Sequence, residues 1–142
     1  MSTTAHPPSR ARKRRSKSSL AIIERAFRGS LEEQYGHIVW LSRVMHGMGA
    51  ATALLLKGDT VMCARAGQPR VSLTVGDLHI AGISHYESTI SDLLREGVPL
   101  YAWQADWLRL HLANAELIAG VALVGDADLP SLIQQFDCVW YW

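Results

Sequence analysis

Residues 50–59 read Ala-Ala-Thr-Ala-Leu-Leu-Leu-Lys-Gly-Asp, an apolar run that stops at a turn signal. Apolar residues that follow one another without alternating polar ones are typical of a strand buried on both faces. The Lys-Gly-Asp sequence directly behind the run favours a sharp change of chain direction at that end of the strand. The stretch therefore predicts an inner strand of a parallel sheet.

Comparable segments recur on both sides of this run, and stretches with helical periodicity separate most of them. The predicted strands are Ser19–Ile23, Val98–Trp103, Val121–Val124 and Cys138–Trp142. The predicted helices run from Ser30 to Met48, from Tyr86 to Leu94, from Asp106 to Leu112, and over Leu129–Ile133 behind Asp128 as N-cap. Residues 71–75 and 78–80 indicate a small hairpin. This alternation predicts a mostly parallel sheet of about five strands with helices on both faces.

Length and composition restrict the class of protein. The chain has 142 residues, of which 49% are hydrophobic, so it can build one domain with a substantial core. Two cysteines exclude a disulfide-dense scaffold and a four-cysteine zinc site. No apolar run approaches the ~20 residues that a membrane-spanning helix needs. The sequence lacks the common zinc, Walker and dinucleotide motifs, so we expect neither a metal nor a cofactor, and no membrane partner.

The charges are distributed unevenly along the chain. Residues 1–17 contain six basic residues and no acidic one. All thirteen acidic residues and the other eight basic residues lie in residues 18–142, which therefore carry a formal charge of −5. We expect residues 1–17 to be a disordered basic tail, because they lack large apolar side chains. Such a tail resembles a transit peptide, can contact nucleic-acid phosphates, or is simply a solvated arm.

Ligands of parallel sheets gather beyond the carboxyl ends of the strands. In this sequence the residues that follow predicted strands are Lys57, Asp59, Trp103, Gln104, Gly125 and Asp126. We therefore expect the binding site at that edge, with Lys57, Asp59, Trp103, Gln104 and Asp126 as its side chains.

The two cysteines have different predicted roles. Cys63 follows the Lys57–Val61 turn near the predicted ligand edge, and Arg65 two residues later can favour a thiolate. Cys63 is thus the candidate catalytic nucleophile, although a free cysteine is more often a small buried apolar residue. Cys138 lies inside the last apolar strand, where we expect it in the core.

Five tryptophans are many for a chain of this length, and large aromatic residues are favoured at protein interfaces. The segment Val139-Trp140-Tyr141-Trp142 would be costly to leave in water. We expect Trp140 in the core. For Trp142, a core position and a subunit contact are equally open. Trp140 and Trp142 are also the candidate interface residues.

Four passages resemble the DsrE/DsrF/TusC-like family in order and spacing. The first strand is followed by Arg28-Gly29-Ser30 and a long helix. The stretch Leu55-Leu56-Lys57-Gly58-Asp59-Thr60-Val61, with Gly67-Gln68-Pro69 behind it, is similar to the family's second strand and turn, although Thr60 replaces a glycine. Residues 94–103 resemble the passage that leads to the family's sulfur-acceptor position, and residues 129–142 resemble its last helix and strand.

This resemblance implies a three-layer α/β/α, flavodoxin-like fold over residues 18–142 and a cytoplasmic, oligomeric protein of sulfur relay, in tRNA thiolation or in sulfur oxidation. Relatives carry a persulfide on a cysteine behind the third strand of the sheet. Trp103 stands at that position here, so the pattern is closer to the DsrF/TusC branch, whose members act as assembly subunits. Trp103 and Trp107 either fill the space of the missing cysteine or line it as a stacking wall.

The resulting hypothesis is an accessory subunit of a sulfur-relay complex, formed with copies of itself or with other DsrE-like subunits and a sulfur-carrier protein. One alternative is a sulfurtransferase that carries the persulfide on Cys63. Another is a module that binds a small ligand, or that binds nucleic acid through its basic tail.

Overall fold

The computed structural model of the chain describes residues 17–24, 36–70, 72–81 and 85–141, with the backbone alone for residues 36–41. Several predictions fall on other residues. The tail up to residue 16, the N-cap Ser30 and the first turns of the first predicted helix lie outside the described residues. Val71, Trp142 and the side chain of Trp40 lie outside them as well.

The described chain forms seven strands, four α-helices and one 3-10 helix. The strands are β1 (Ser18–Ile23), β2 (Ala51–Leu56), β3 (Leu73–Val75), β4 (Leu78–Ile80), β5 (Leu100–Trp103), β6 (Ala122–Val124) and β7 (Cys138–Tyr141). The α-helices are α1 (Gly36–Gly47), α2 (Tyr86–Arg95), α3 (Gln104–Arg109) and α4 (Leu129–Ile133), and the 3-10 helix spans Gly58–Ala64.

Five strands form the main sheet in the order β6-β5-β2-β1-β7, and every neighbouring pair is parallel. The chain moves outward from β1 to β6 and then crosses back to place β7 on the other side of β1. A right-handed return in this direction puts α4 on the face opposite to the earlier connections. The predicted α/β, flavodoxin-like fold is confirmed.

The core consists of one apolar layer on each face of the sheet. Along β1 and β2, alternate residues point to opposite faces. Leu54 and Leu56 pack with the 3-10 helix, α2 and α3, including the buried indole of Trp107. Leu20, Ile22, Ala53 and Leu55 pack on the other face beneath Leu129, Ile133 and Phe136. The continuous apolar runs of β1 and β2 are explained by burial on both sides.

The predicted hairpin is present and stands apart from the main sheet. Strands β3 and β4 pair antiparallel, with Leu73 opposite Ile80 and Val75 opposite Leu78. These four side chains share one face of the hairpin, and all four are exposed. On the other face Thr74 and His79 are hydrogen-bonded at 3.1 Å.

Strand β7 corrects two expectations about burial. Trp140 is 50% exposed rather than in the core, and Cys138 is only partly buried. Among the described residues, strand β7 pairs only with β1 and lies at one end of the strand order, where fewer described elements pack over its side chains. Its apolar run looked like that of an inner strand because sequence alone does not reveal the order of strands.

The predicted cap of the last helix is also corrected. Asp128 precedes α4, but its side chain makes no capping hydrogen bond. Its backbone is helical, with φ −92° and ψ −19°, whereas an N-cap that bonds the first turn usually has extended backbone. The helix begins through Pro130 in its first turn instead.

Candidate functional site at the carboxyl edge of the sheet

The five parallel strands end at one edge of the sheet, and each contributes a polar or aromatic side chain there. Glu24 follows β1, Lys57 follows β2, Trp103 ends β5, Asp126 follows β6 and Tyr141 ends β7. Lys57, Trp103 and Asp126 are where the sequence predicted them. Glu24 and Tyr141 were missed, although Glu24 carries the same signal, a charged residue directly behind a buried strand.

Lys57 lies at the centre of this arrangement. Its ammonium donates a hydrogen bond to the Tyr141 hydroxyl at 3.2 Å and is 3.7 Å from Oε1 of Glu24. The same nitrogen stands 4.6 Å from the centroid of the Trp103 ring. The hydrogen bond to Tyr141, followed by the charge of Glu24, raises the pKa of Lys57 despite partial desolvation. Lys57 is therefore a fixed cation and not a nucleophilic amine.

Trp103 continues the arrangement toward the β6 side. Its indole N–H donates a hydrogen bond to the Asp126 carboxylate, while its ring face receives the Lys57 ammonium. Gln104 is the first residue of α3 and is exposed. Its side-chain oxygen would lie 3.3 Å from a Cβ placed on Gly125, so it covers the loop behind β6. Contacts thus run without interruption from Asp126 to Glu24.

A second group of charges supports the start of the 3-10 helix. The Gly58 N–H donates to Oδ2 of Asp106 at 2.6 Å. Arg109 donates to Asp106 at 3.0 Å and to Asp59 at 3.2 Å, and these two hydrogen bonds raise its pKa. Gly58 has φ +59°, and a Cβ there would stand 2.9 Å from the carbonyl oxygen of Glu24, so glycine is required. Asp59 is present at the edge as predicted, while its contact with Arg109 and the contact of Arg109 with Asp106 were not predicted.

Thr60 fixes the backbone between β1 and the 3-10 helix. Its hydroxyl is buried, lies 2.5 Å from the carbonyl oxygen of Ile23 and 2.6 Å from that of Lys57, and accepts from the Lys57 N–H at 3.0 Å. A glycine, which the resembled family has at this position, could not make these bonds. The departure from the family pattern therefore stiffens the turn that presents Lys57.

Gln68 and Glu87 show that the Gly-Gln-Pro passage has a structural role. The Gln68 amide donates to the carbonyl oxygens of Cys63 and Arg65, at 2.8 and 2.7 Å, and closes the 3-10 helix. The Glu87 carboxylate accepts from the N–H groups of Gln68 and Gly67, and these bonds lower its pKa. The passage thereby anchors the 3-10 helix to the start of α2.

Neither cysteine of the chain lies exposed at this edge. Cys63 is in the 3-10 helix with 5% of its surface exposed, and burial raises the pKa of its thiol to about 12. Burial therefore favours the interpretation of Cys63 as a core residue over that of a nucleophile. Cys138 begins β7 at the opposite, amino edge, where its Sγ is 3.6 Å from the carbonyl oxygen of Ser18. Both thiols are free.

Histidine and carboxylate groups do not gather into a ligand set in the described ranges. Within residues 17–24, 36–70, 72–81 and 85–141, no three His, Cys, Asp or Glu side chains are placed to hold a metal ion. His85 instead caps α2, since its ring nitrogen accepts from the N–H of Ser88. Across the same part of the chain, no helix combines the length and apolarity needed to cross a bilayer.

Comparisons with known proteins support the fold. No known family model matches the sequence, and no curated protein matches it. The chain is similar to the crystal structure of the ychN protein from E. coli, with a TM-score of 0.70 and 17% sequence identity over 89% of this chain and 99% of that one. That protein has a DsrE-like fold, and the expected DsrE-like fold is thereby confirmed for this chain. The likeness does not support the narrower DsrF/TusC branch.

Proposed function

We propose that this chain is an accessory subunit of a sulfur-relay complex and does not itself carry the sulfur. The observation that carries the proposal is the position of Trp103. At the end of β5, where relatives in the resembled family hold the acceptor cysteine, an indole donates to Asp126 and packs against Lys57. The place of the reactive sulfur atom is taken by a structural contact.

Sulfur transfer needs a thiolate that is accessible and stabilised by its surroundings. Cys63 is buried, with a pKa near 12, so its thiolate fraction at neutral pH is negligible. Cys138 lies at the far edge of the sheet, away from the Lys57 cation. These two facts support a non-catalytic role over the alternative of a persulfide carried on Cys63.

Two exposed apolar surfaces support the role of a subunit. The hairpin presents the side chains of Leu73, Val75, Leu78 and Ile80 to solvent on one face. Strand β7 exposes Trp140 on one face of the sheet and Val139 and Tyr141 on the other. Adjacent exposed apolar side chains are typical of protein–protein contact sites. Trp140 thus keeps its proposed interface role, and the partner is a second copy or another DsrE-like chain.

The experiment is incubation of the purified chain with a persulfide donor, followed by intact mass measurement. We expect no gain of a sulfur atom in the wild-type protein. A Trp103→Cys variant restores a thiol beside Lys57, whose positive charge favours the thiolate, and should gain one sulfur atom. A wild-type adduct that disappears in Cys63→Ser would overturn the proposal in favour of a sulfurtransferase.

Native mass measurement tests the second half of the proposal. We expect the chain to form an oligomer by itself or on mixing with a DsrE-like partner chain. Trp140→Ser, which removes apolar area from the exposed β7 surface, should weaken that assembly. A monomer under all of these conditions would contradict a subunit role.

A further inference from the structure

A cavity of about 410 Å³ opens at the amino edge of the sheet, at the end opposite to the carboxyl-edge site. Its walls come from the first residues of β1 and β2, from the last turn of α1, from the chain behind α1 and α2, and from Phe136 ahead of β7. The lining residues are Ser18, His46, Gly49, Ala50, Ala51, Thr52, Gly97, Pro99 and Phe136. Volumes of about 300–1,000 Å³ are usual for small-molecule sites.

Two helices end at this cavity with the same local structure. Behind α1, the Gly49 N–H donates to the carbonyl of His46 and the Ala50 N–H to that of Met45. Behind α2, Gly97 and Val98 donate to Leu94 and Leu93 in the same spacing. Both are Schellman motifs, with glycines at φ +84° and +85°.

The electrostatics of these helix ends favour a hydrogen-bond donor. Helix C-termini carry a partial negative charge, and two of them meet here. The arginines of these helices, Arg43 and Arg95, are engaged in ion pairs with Glu96 and Asp92. A cationic group in the cavity is therefore favoured over an anionic one.

His46 adds an acceptor to the same place. Its Nε2–H donates to the carbonyl oxygen of Glu96 at 2.8 Å. The neutral ring therefore has its proton on Nε2, and Nδ1 is left as an acceptor. A ligand that donates a hydrogen bond suits this side chain, whereas one that only accepts does not.

Thr52 provides an independent sign that the cavity has an unmet polar group. The residue is 7% exposed, and its buried hydroxyl has no hydrogen-bond partner in the described structure. A buried hydroxyl without a partner is unfavourable by about 1–3 kcal/mol. Because Thr52 also lines the cavity, a ligand bound there is the candidate partner for this hydroxyl.

The remaining walls are apolar. Phe136 and Pro99 provide an aromatic ring and a rigid aliphatic ring, while Ala50 and Ala51 are small enough to leave space between them. Cβ atoms placed on Gly49 or Gly97 would meet no described atom within 4 Å, so both glycines border open volume. The cavity thus combines an apolar body with acceptors at the helix ends.

We propose that this amino-edge cavity is a binding site for a small organic cation with an apolar body, such as an arylalkyl ammonium. The apolar part packs against Phe136 and Pro99. The ammonium donates toward His46 and the ends of α1 and α2, and Thr52 supplies a further hydrogen bond. The site is separate from the carboxyl-edge residues and does not depend on the function proposed for them.

The test uses the full chain and two probes of similar shape and opposite charge, phenethylamine and 3-phenylpropionate, titrated with detection by NMR chemical shifts. We expect phenethylamine to bind with a Kd on the order of 1 mM, which suits a ligand of this size. The carboxylate should bind at least about tenfold more weakly.

One matched pair of variants and one single variant locate the probe. Ala51→Leu places a larger side chain at the exposed first residue of β2 and should abolish binding, whereas Ala122→Leu, the same change at the exposed first residue of β6, should leave it unchanged. Thr52→Val should weaken binding about fivefold without loss of folding.

Three results would overturn the proposal. They are equal or tighter binding of 3-phenylpropionate, wild-type affinity in Ala51→Leu, and failure of phenethylamine to bind the wild-type chain at about ten times the expected Kd. Thr52→Val that binds like the wild type would remove Thr52 from the site, and with it the polar complementarity on which the proposal rests.

Discussion

The two ends of the parallel sheet are built in opposite ways. At the carboxyl edge, charged and aromatic side chains from all five strands contact one another from Asp126 through Trp103 and Lys57 to Glu24. At the amino edge, glycine, alanine and proline leave a cavity with one buried hydroxyl that has no partner in the described structure. Side chains at the carboxyl edge therefore contact one another, whereas the amino edge contains a cavity and a hydroxyl without a hydrogen-bond partner among the described residues.

This difference shows that the two ends of one sheet can differ in whether their side chains contact one another or leave space. Parallel sheets offer their carboxyl ends to ligands because the loops there are free to vary. In this chain the side chains at those positions contact one another, and Trp103 takes part through its hydrogen bond to Asp126 and its contact with Lys57. These contacts support the proposal of a subunit role, because they occupy the edge where a ligand of a parallel sheet would bind.

The largest effect should come from Thr60→Val, a nearly isosteric change at the carboxyl edge. It removes the hydroxyl that donates to the carbonyl oxygens of Ile23 and Lys57, so these oxygens lose a hydrogen-bond donor. We expect a loss of about 2 kcal/mol in the free energy of unfolding, measured by urea denaturation. An unchanged midpoint would mean that these bonds do not stiffen the edge.

The next effect concerns the buried thiol beneath the same edge. Burial raises the pKa of Cys63 from 9.0 to about 12, so the unfolded chain releases this proton at lower pH than the folded one. The resulting stability is fully present below pH 9 and is lost as the pH rises from 9 to 12. We expect a loss of about 1 kcal/mol by pH 10.

The control for this pH dependence is Cys63→Ala, which removes the titrating thiol but keeps the other groups that titrate above pH 9. Denaturation of both proteins from pH 8 to 11 gives the difference that belongs to Cys63. If the two curves stay parallel, the thiol is more accessible than its burial indicates, and the sulfurtransferase alternative regains support.

At the amino edge, replacing a threonine with valine should increase the free energy of unfolding, whereas at Thr60 it should decrease it. Thr52→Val replaces a hydroxyl without a partner by a methyl group of equal size. We expect a gain of about 0.5–1 kcal/mol in the absence of ligand. Measured beside Thr60→Val under identical conditions, a loss here would show that the amino edge is as well satisfied as the carboxyl edge.

The smallest effect should come from Lys57→Met, which keeps the aliphatic stem and removes the charge over Trp103. Because the side chain is partly exposed and water screens the ion pair with Glu24, we expect a loss of only about 0.5 kcal/mol. Arg95→Met, the same removal of charge from a more exposed ion pair, should change nothing measurable. A loss above 2 kcal/mol would show that Lys57 is a main support of the edge rather than one contact among several.

Sequence predicted the parts of the fold that local pattern controls. The runs of β1 and β2, the helix α2 with Gly97 behind it, and the hairpin at residues 73–80 all follow from residues that are neighbours in the chain. Trp140 was predicted wrongly as a core residue because its burial depends on which distant segments pack against β7, and that packing is a property of the whole chain.

The candidate sites show the same limit. Lys57, Trp103 and Asp126 were predicted because each lies at or within two residues of the carboxyl end of a strand, and Glu24 was identifiable by the same rule. Tyr141 was not predicted as a site residue, because its hydroxyl reaches Lys57 only once β7 lies beside β1. The amino-edge cavity left no trace in the sequence, because a space between small residues is defined by what surrounds it.

The pairing of β1 with β7 also affects how the protein is made. Ser18 accepts from and donates to Asp137, 119 residues further along the chain, and the ladder continues to Tyr141. Contacts between such distant segments are slow to form. As the polypeptide leaves the ribosome, the outer flank of β1 therefore remains an unpaired template until residues 138–141 have emerged. A chaperone that shields strand edges during synthesis would be of most use to this protein in that interval.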